Sequence, residues 1–184
     1  MKGCRTLTNE EIKRIINNAE IRDRALFLTG LTFGTRISES LELKFKDVSG
    51  AFLYLKSKKG SDNQAFPIPD SYRVVIERLK KEYESKGINV NFDTYLFISR
   101  KGDCKSITRQ QASQVIKQIC NELDINGKIN SHSFRKSFIT KIYELTKFNI
   151  VETQTYSRHK SISNLEYYIS TTEKTDLVNK LVWC

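Results

Sequence analysis

The chain contains only two histidines, and each keeps company with an arginine. His132 lies in His132-Ser133-Phe134-Arg135, and His159 directly follows Arg158. A His and an Arg three apart at a helix start share one face, which aims two donors at a single phosphate-like anion. Arg36 follows Gly34-Thr35, and Glu39 comes one helical turn later, where a carboxylate can hold a guanidinium in position. Lys59 stands in the turn-forming run Lys58-Lys59-Gly60, from which a lysine can reach into a groove or protonate a leaving oxygen. Tyr168 comes nine residues after His159. A tyrosine is a nucleophile when a base takes its proton and cations stabilise the phenolate. Taken singly, each feature has an ordinary explanation: a surface His beside a surface Arg, an i,i+3 ion pair, a solvated turn lysine, one tyrosine among eight.

Such side chains need elements to hold them. Thr8-Asn9-Glu10-Glu11 is a capping-box pattern, and Ile12, Ile15 and Ile16 follow at helical spacing. An apolar stretch over 25–31 reads as a buried helix ended by Gly34-Thr35, with another helix expected over 36–43. Strands are expected over 51–57 and 64–68, forming a basic β-hairpin with Lys59 at its tip. Pro69-Asp70 opens a helix carrying Tyr72, Ile76, Leu79 and Tyr83 on one face, with Gly87 as its stop. A second capping box at Thr108-Arg109-Gln110-Gln111 precedes the stripe Ala112, Val115, Ile116, Ile119, Cys120 and Leu123. Helix is expected over 133–145, in shorter pieces from Ile150, and in an amphipathic tail over 173–184 that carries Leu177, Leu181, Val182 and Trp183. The expected fold class is α+β, mainly α-helical, with a small antiparallel sheet, in a single domain over 1–184.

The 184 residues carry 31 Lys and Arg against 21 Asp and Glu, a net charge of +10 with a pI near 9.4. That excess suggests a polyanionic partner; a basic surface that merely keeps the protein soluble is the plainer reading. No apolar run approaches the roughly 20 residues of a membrane helix, and Met1-Lys2-Gly3-Cys4-Arg5 lacks the apolar core of a signal peptide. A cytoplasmic protein is expected. Cys4, Cys104, Cys120 and Cys184 form no CxxC pair, so neither a zinc ribbon nor a disulfide framework is written here, and Cys120 reads as a small core residue.

In sequence order, Arg36, Lys59, His132-x-x-Arg135, His159 and Tyr168 resemble the catalytic set of the tyrosine recombinases, also called phage integrases. The resemblance runs from about Thr6 to the tail, and the segment from Leu31 to Leu41 is similar to that family's first conserved block. It implies the family's catalytic-domain fold and site-specific recombination of double-stranded DNA. In that role Tyr168 attacks a scissile phosphate to give a 3′-phosphotyrosyl bond and a 5′-hydroxyl. The resemblance gives Arg36 and Arg135 the non-bridging oxygens, His132 the tyrosine proton or the phosphate, Lys59 the leaving oxygen, His159 a phosphate hydrogen bond, and Glu39 the support of Arg36. The bond energy stays in the phosphotyrosine, so neither a cofactor nor a metal is implied.

It also implies a homo-tetramer on DNA, in which the tail over 173–184 docks on a neighbouring subunit or folds back on its own domain. Thr8 opens the catalytic domain almost at once. That is similar to the short single-domain members, such as the fimbrial phase-switch recombinases, which lack an N-terminal core-binding domain; an accessory DNA-binding protein is the implied substitute. Three positions depart from the family: Arg158 for the usual Gly, Ser157 for an apolar residue, and Thr35 for the commoner Leu. The alternative to an enzyme is a catalytically inactive DNA-binding regulator with the same fold. A generic RNA-binding domain has no RNP-like or KH-like motif behind it.

Overall fold

A computed structural model describes residues 3–56, 63–100, 104–159, 161–163 and 165. The chain divides into two compact units, Met1–Phe138 and Ile139–Cys184. The order of elements in the first is α1 (Asn9–Asn18), α2 (Ile21–Phe33), α3 (Ile37–Ser40), a 3₁₀ turn (Phe45–Val48), β1 (Phe52–Leu55), β2 (Gln64–Pro67), α4 (Asp70–Ser85) and α5 (Arg109–Glu122). Helix α6 (Ser131–Leu145) begins in the first unit and ends in the second, which also holds α7 (Ile150–Ser157). The fold is therefore α+β and mainly helical.

Local chemistry explains the element ends. The Thr8 hydroxyl accepts from the Glu11 N–H, and the Glu11 carboxylate accepts from the Thr8 N–H. Hydrogen bonding to the Arg5 guanidinium is the main reason that the Glu11 carboxyl falls to about 2. Thr108 and Gln111 repeat the same reciprocal cap at α5. Helix α2 buries residues on every side, among them Ala25, Phe27, Thr29, Gly30 and Phe33, so it carries no polar stripe.

Two clusters hold the first unit together. Phe33 meets Phe66 of β2 and Tyr72 of α4 edge-on, at ring-centre distances of 6.2 and 5.0 Å. The Tyr72 hydroxyl lies 2.8 Å from Thr29 Oγ1, which also donates to the Ala25 carbonyl. Strands β1 and β2 pair antiparallel, Phe52 opposite Pro67 and Leu53 opposite Phe66, with Leu53, Leu55 and Phe66 facing inward. The second cluster joins Leu7, Ile15, Ala19, Phe27, Ile116, Ile119, Cys120, Ile125 and Phe134. In it Phe27 stacks on Phe134 at 4.9 Å. Each such large apolar side chain contributes about 1.5–3 kcal/mol by leaving water. Phe134 lies between His132 and Arg135 in the first turns of α6, so its stack on Phe27 pins the part of that helix that carries both.

Two expectations are adjusted. The segment expected as helix over 36–43 makes a single turn, Ile37–Ser40: the Glu42 and Leu43 N–H groups bond three residues back, and the chain then leaves to pair Lys44 with Tyr95. The hairpin strands are shorter than expected, at four residues each. The tip that carries Lys59 and the tail over 173–184 lie outside the described residues.

Candidate active site

Helix α2 ends on Gly34, whose φ of +57° is the left-handed conformation that closes many helices. A Cβ on Gly34 would stand 2.3 Å from Phe138 Cδ1. Position 34 therefore excludes a side chain twice, by backbone conformation and by the ring packed against it. Gly34→Ala is expected to lower stability by about 2–5 kcal/mol, the sum of a left-handed penalty and overpacking. Urea denaturation measures it, and a loss below about 1 kcal/mol would mean that the Phe138 ring moves aside freely.

Two residues beyond that turn, Arg36 is set by Glu39. One carboxylate oxygen accepts from the Arg36 backbone N–H at 2.7 Å, and the other accepts from Nη1 at 3.0 Å. Glu39 is buried while the Arg36 side chain remains 42% exposed. A buried carboxylate thus orients a cation that still faces outward, the arrangement needed to meet a large anionic ligand.

The second arginine arrives from α6. Asn130 precedes the helix, its side-chain oxygen accepts from the His132 N–H at 2.9 Å, and its own N–H donates to the Ser133 hydroxyl. This cap places His132 in the first turn, where the helix dipole favours an anion. One turn on, Arg135 is 2% exposed, and its Nη1 donates to the Gly34 carbonyl. The residue that ends α2 thus also anchors the guanidinium contributed by α6.

His132 is half-buried, and its pKa is lowered by burial first, then by the charges of Arg135 and Arg36. Arg135 lies one turn along α6, and its guanidinium reaches the Gly34 carbonyl, two residues before Arg36. In the free protein the imidazole of His132 should titrate below the ordinary value of about 6.5. The unfolded chain then binds more protons than the folded one just below that value. Stability contributed by neutral His132 is complete above the unfolded pKa and is lost as pH falls through the folded one. Added sulfate, by offsetting the arginines, should move the titration upward. Nuclear magnetic resonance of the two imidazoles decides this, and an upward shift in the ligand-free protein would contradict the geometry.

The second unit carries His159 at the end of α7. Asn149 caps that helix, its side chain accepting from the Val151 and Glu152 N–H groups. Arg158 closes it at φ +56°, with its N–H on the Gln154 carbonyl. The usual family glycine at this position therefore has a conformational reason. Arg158 adopts the left-handed geometry despite its Cβ, at a cost of about 1–2 kcal/mol. The Gln154 amide donates to the His159 carbonyl at 2.9 Å, and His159 Nδ1 lies 2.9 Å from Ser157 Oγ.

Of the six residues singled out for chemistry, Arg36, His132 and Arg135 come together in the first unit with Glu39 behind Arg36. His159 belongs to the second unit, and Lys59 and Tyr168 lie outside the described residues. Sequence reasoning did not single out Asn130 or the second role of Gly34. Asn130 ahead of a helix was open to detection as a cap, whereas the anchoring carbonyl of Gly34 is a backbone group that no residue type announces.

The sequence pattern of the phage integrase family matches residues 5–175. Tyrosine recombinase XerA of Pyrococcus horikoshii is 26% identical over 174 residues, covering 92% of this chain and 58% of the relative. The probable integrase/recombinase YoeC of Bacillus subtilis is 29% identical over 167 residues, covering 90% of this chain and 87% of the relative. The chain thus spans about three fifths of the length of the archaeal relative and most of the bacillar one. Among solved structures, XerA recombinase superposes with a TM-score of 0.75 at 20% identity, over 95% of this chain and 62% of that one. XerH bound to its difH substrate before cleavage gives a TM-score of 0.70 at 24% identity, over 89% of this chain and 49% of that one. These likenesses establish the fold.

Proposed function

Because the chain belongs to the phage integrase family, we propose that it is a tyrosine-type site-specific DNA recombinase acting on double-stranded DNA. The observation that carries this reading is the gathering of Arg36, His132 and Arg135 at the start of α6, with Glu39 and the Gly34 carbonyl holding the two guanidiniums. Two fixed guanidiniums and a helix N-terminus suit a phosphodiester on which negative charge builds during reaction.

In the proposed reaction the Tyr168 oxygen attacks phosphorus and the 5′-oxygen departs. His132, held neutral, accepts the tyrosine proton, and Lys59 supplies a proton to the leaving oxygen. Arg36, Arg135 and His159 neutralise the non-bridging oxygens. The strand is then joined to a 3′-phosphotyrosine, and attack by another 5′-hydroxyl reverses the step on a new partner. No cofactor enters this balance. We assign the assembly to a homo-tetramer on two DNA sites, aided by an accessory DNA-binding protein, with the tail over 173–184 as a subunit contact. Among the described residues no helix is long and apolar enough to cross a membrane.

The test is a duplex nicked near the cleavage site, which traps the cleaved strand on the protein. Candidate sites come from the DNA that flanks the gene. A covalent adduct that survives denaturant is expected. Its absence on DNA that the protein demonstrably binds would favour the inactive regulator.

A further inference from the structure

The turn that presents His159 contains a hydrogen-bond chain. Ser157 is 1% exposed, and its Oγ stands 3.2 Å from the Gln154 carbonyl and 2.9 Å from His159 Nδ1. A serine hydroxyl has one proton, and a carbonyl oxygen only accepts. One proton assignment satisfies both contacts: Ser157 donates to the Gln154 carbonyl and accepts from Nδ1–H of His159. The Gln154 amide meanwhile donates to the His159 carbonyl, so the same residue steadies the histidine backbone and, through Ser157, its ring.

We propose that Ser157 is a positioning residue for His159, holding its ring in one plane and in the tautomer protonated on Nδ1. An apolar residue, as the family usually has here, offers the ring no such partner. The part this plays in strand cleavage rests on the recombinase reading. In the neutral ring Nε2 then carries the lone pair. A phosphate oxygen only accepts, so Nε2 gains a proton from solvent when it engages the phosphate. The Ser157 oxygen behind Nδ1 favours that doubly protonated ring because it accepts from it. His159 would then meet the phosphate as a cation.

Histidine ¹⁵N shifts of the full chain, recorded where the ring is neutral, read the tautomer directly. The wild type is expected to carry its proton on Nδ1, and Ser157→Ala to move it toward Nε2. On the nicked duplex, Ser157→Ala should form adduct about tenfold more slowly, the worth of one hydrogen bond, with unchanged DNA affinity. Ser157→Thr, which keeps the hydroxyl, should restore both the tautomer and the rate. A wild-type ring protonated on Nε2, or an alanine variant with the wild-type tautomer, overturns the proposal. So does a threonine variant that has the wild-type tautomer and cleaves no faster than alanine. A wild type that forms no adduct on DNA it binds overturns the recombinase reading, and with it the part of Ser157 in cleavage. The nitrogen shifts still decide the hydrogen bond itself.

Discussion

A Tyr168→Phe protein is expected to bind the same duplex as the wild type and to form no denaturant-stable adduct. The change removes a single oxygen, but in the proposed reaction that oxygen is the bridge between protein and DNA. A phenyl ring has no atom that can form a phosphoester, so the loss should be at least about 10³-fold. Arg36 and Arg135 are held by Glu39 and the Gly34 carbonyl, not by that hydroxyl, so binding to duplex should persist with the steep salt dependence of phosphate contacts. Retention of adduct in the variant would reassign the nucleophile, with Tyr167 the neighbouring hydroxyl to change next. Loss of DNA binding together with the adduct would instead mark Tyr168 as a structural residue.

The second large effect falls on Arg135. Replacing it with Met keeps an unbranched chain in the same space and removes the charge. Cleavage should fall about 10²–10³-fold, the range seen when one preorganised donor to a developing oxyanion is lost. Stability should change much less. The Gly34 carbonyl loses its donor, which costs about 1–3 kcal/mol. Against this, a guanidinium that is 2% exposed and shares its surroundings with Arg36 no longer has to be kept from water, and apolar replacement of buried charges is often neutral or favourable. Arg135→Lys keeps the charge but not the planar fork, and should recover binding to DNA better than it recovers the rate. An Arg135→Met protein that cleaves within tenfold of the wild type would make this arginine a packing element only.

The parts of the fold open to sequence reasoning are those encoded locally. The Thr8 and Thr108 caps, the α4 stripe from Tyr72 to Tyr83 and the stop near Gly87 all depend on residues within a few positions of one another, and all appear as expected. Helix α2 was legible in its middle and at its Gly34 stop but not at its start, because an element buried on every side has no periodic contrast to mark where it begins. The segment after Arg36 was expected as a longer helix; a bridge from Lys44 to Tyr95, 51 positions on and invisible to local pattern, draws the chain out after one turn. For the site, residue types and order pointed to the candidates, but burial did not follow from them. An arginine three residues after a histidine at a helix start suggests an exposed pair. The structure instead sinks Arg135 to the end of α2, a partner 101 positions away in sequence. The Ser157–His159 contact was equally hidden, since Ser157 registered only as a departure from an apolar position.

The N-terminal segment of the first unit is tied down by residues near that unit's other end. The Arg5 N–H donates to the Lys128 carbonyl, and the Leu7 N–H donates to the Ser137 hydroxyl in a buried contact 130 positions apart. During translation these partners emerge long after the segment they hold, by about 6–26 s at roughly 5–20 residues per second. Until then Arg36 and Arg135 have no common frame. A nascent chain this basic, made beside ribosomal RNA, would therefore lack the assembled arginine pair while most of the first unit is being made. Sequence distance inside the first unit thus works as a timer: it delays the assembly of Arg36 and Arg135 until nearly all of that unit has been synthesised.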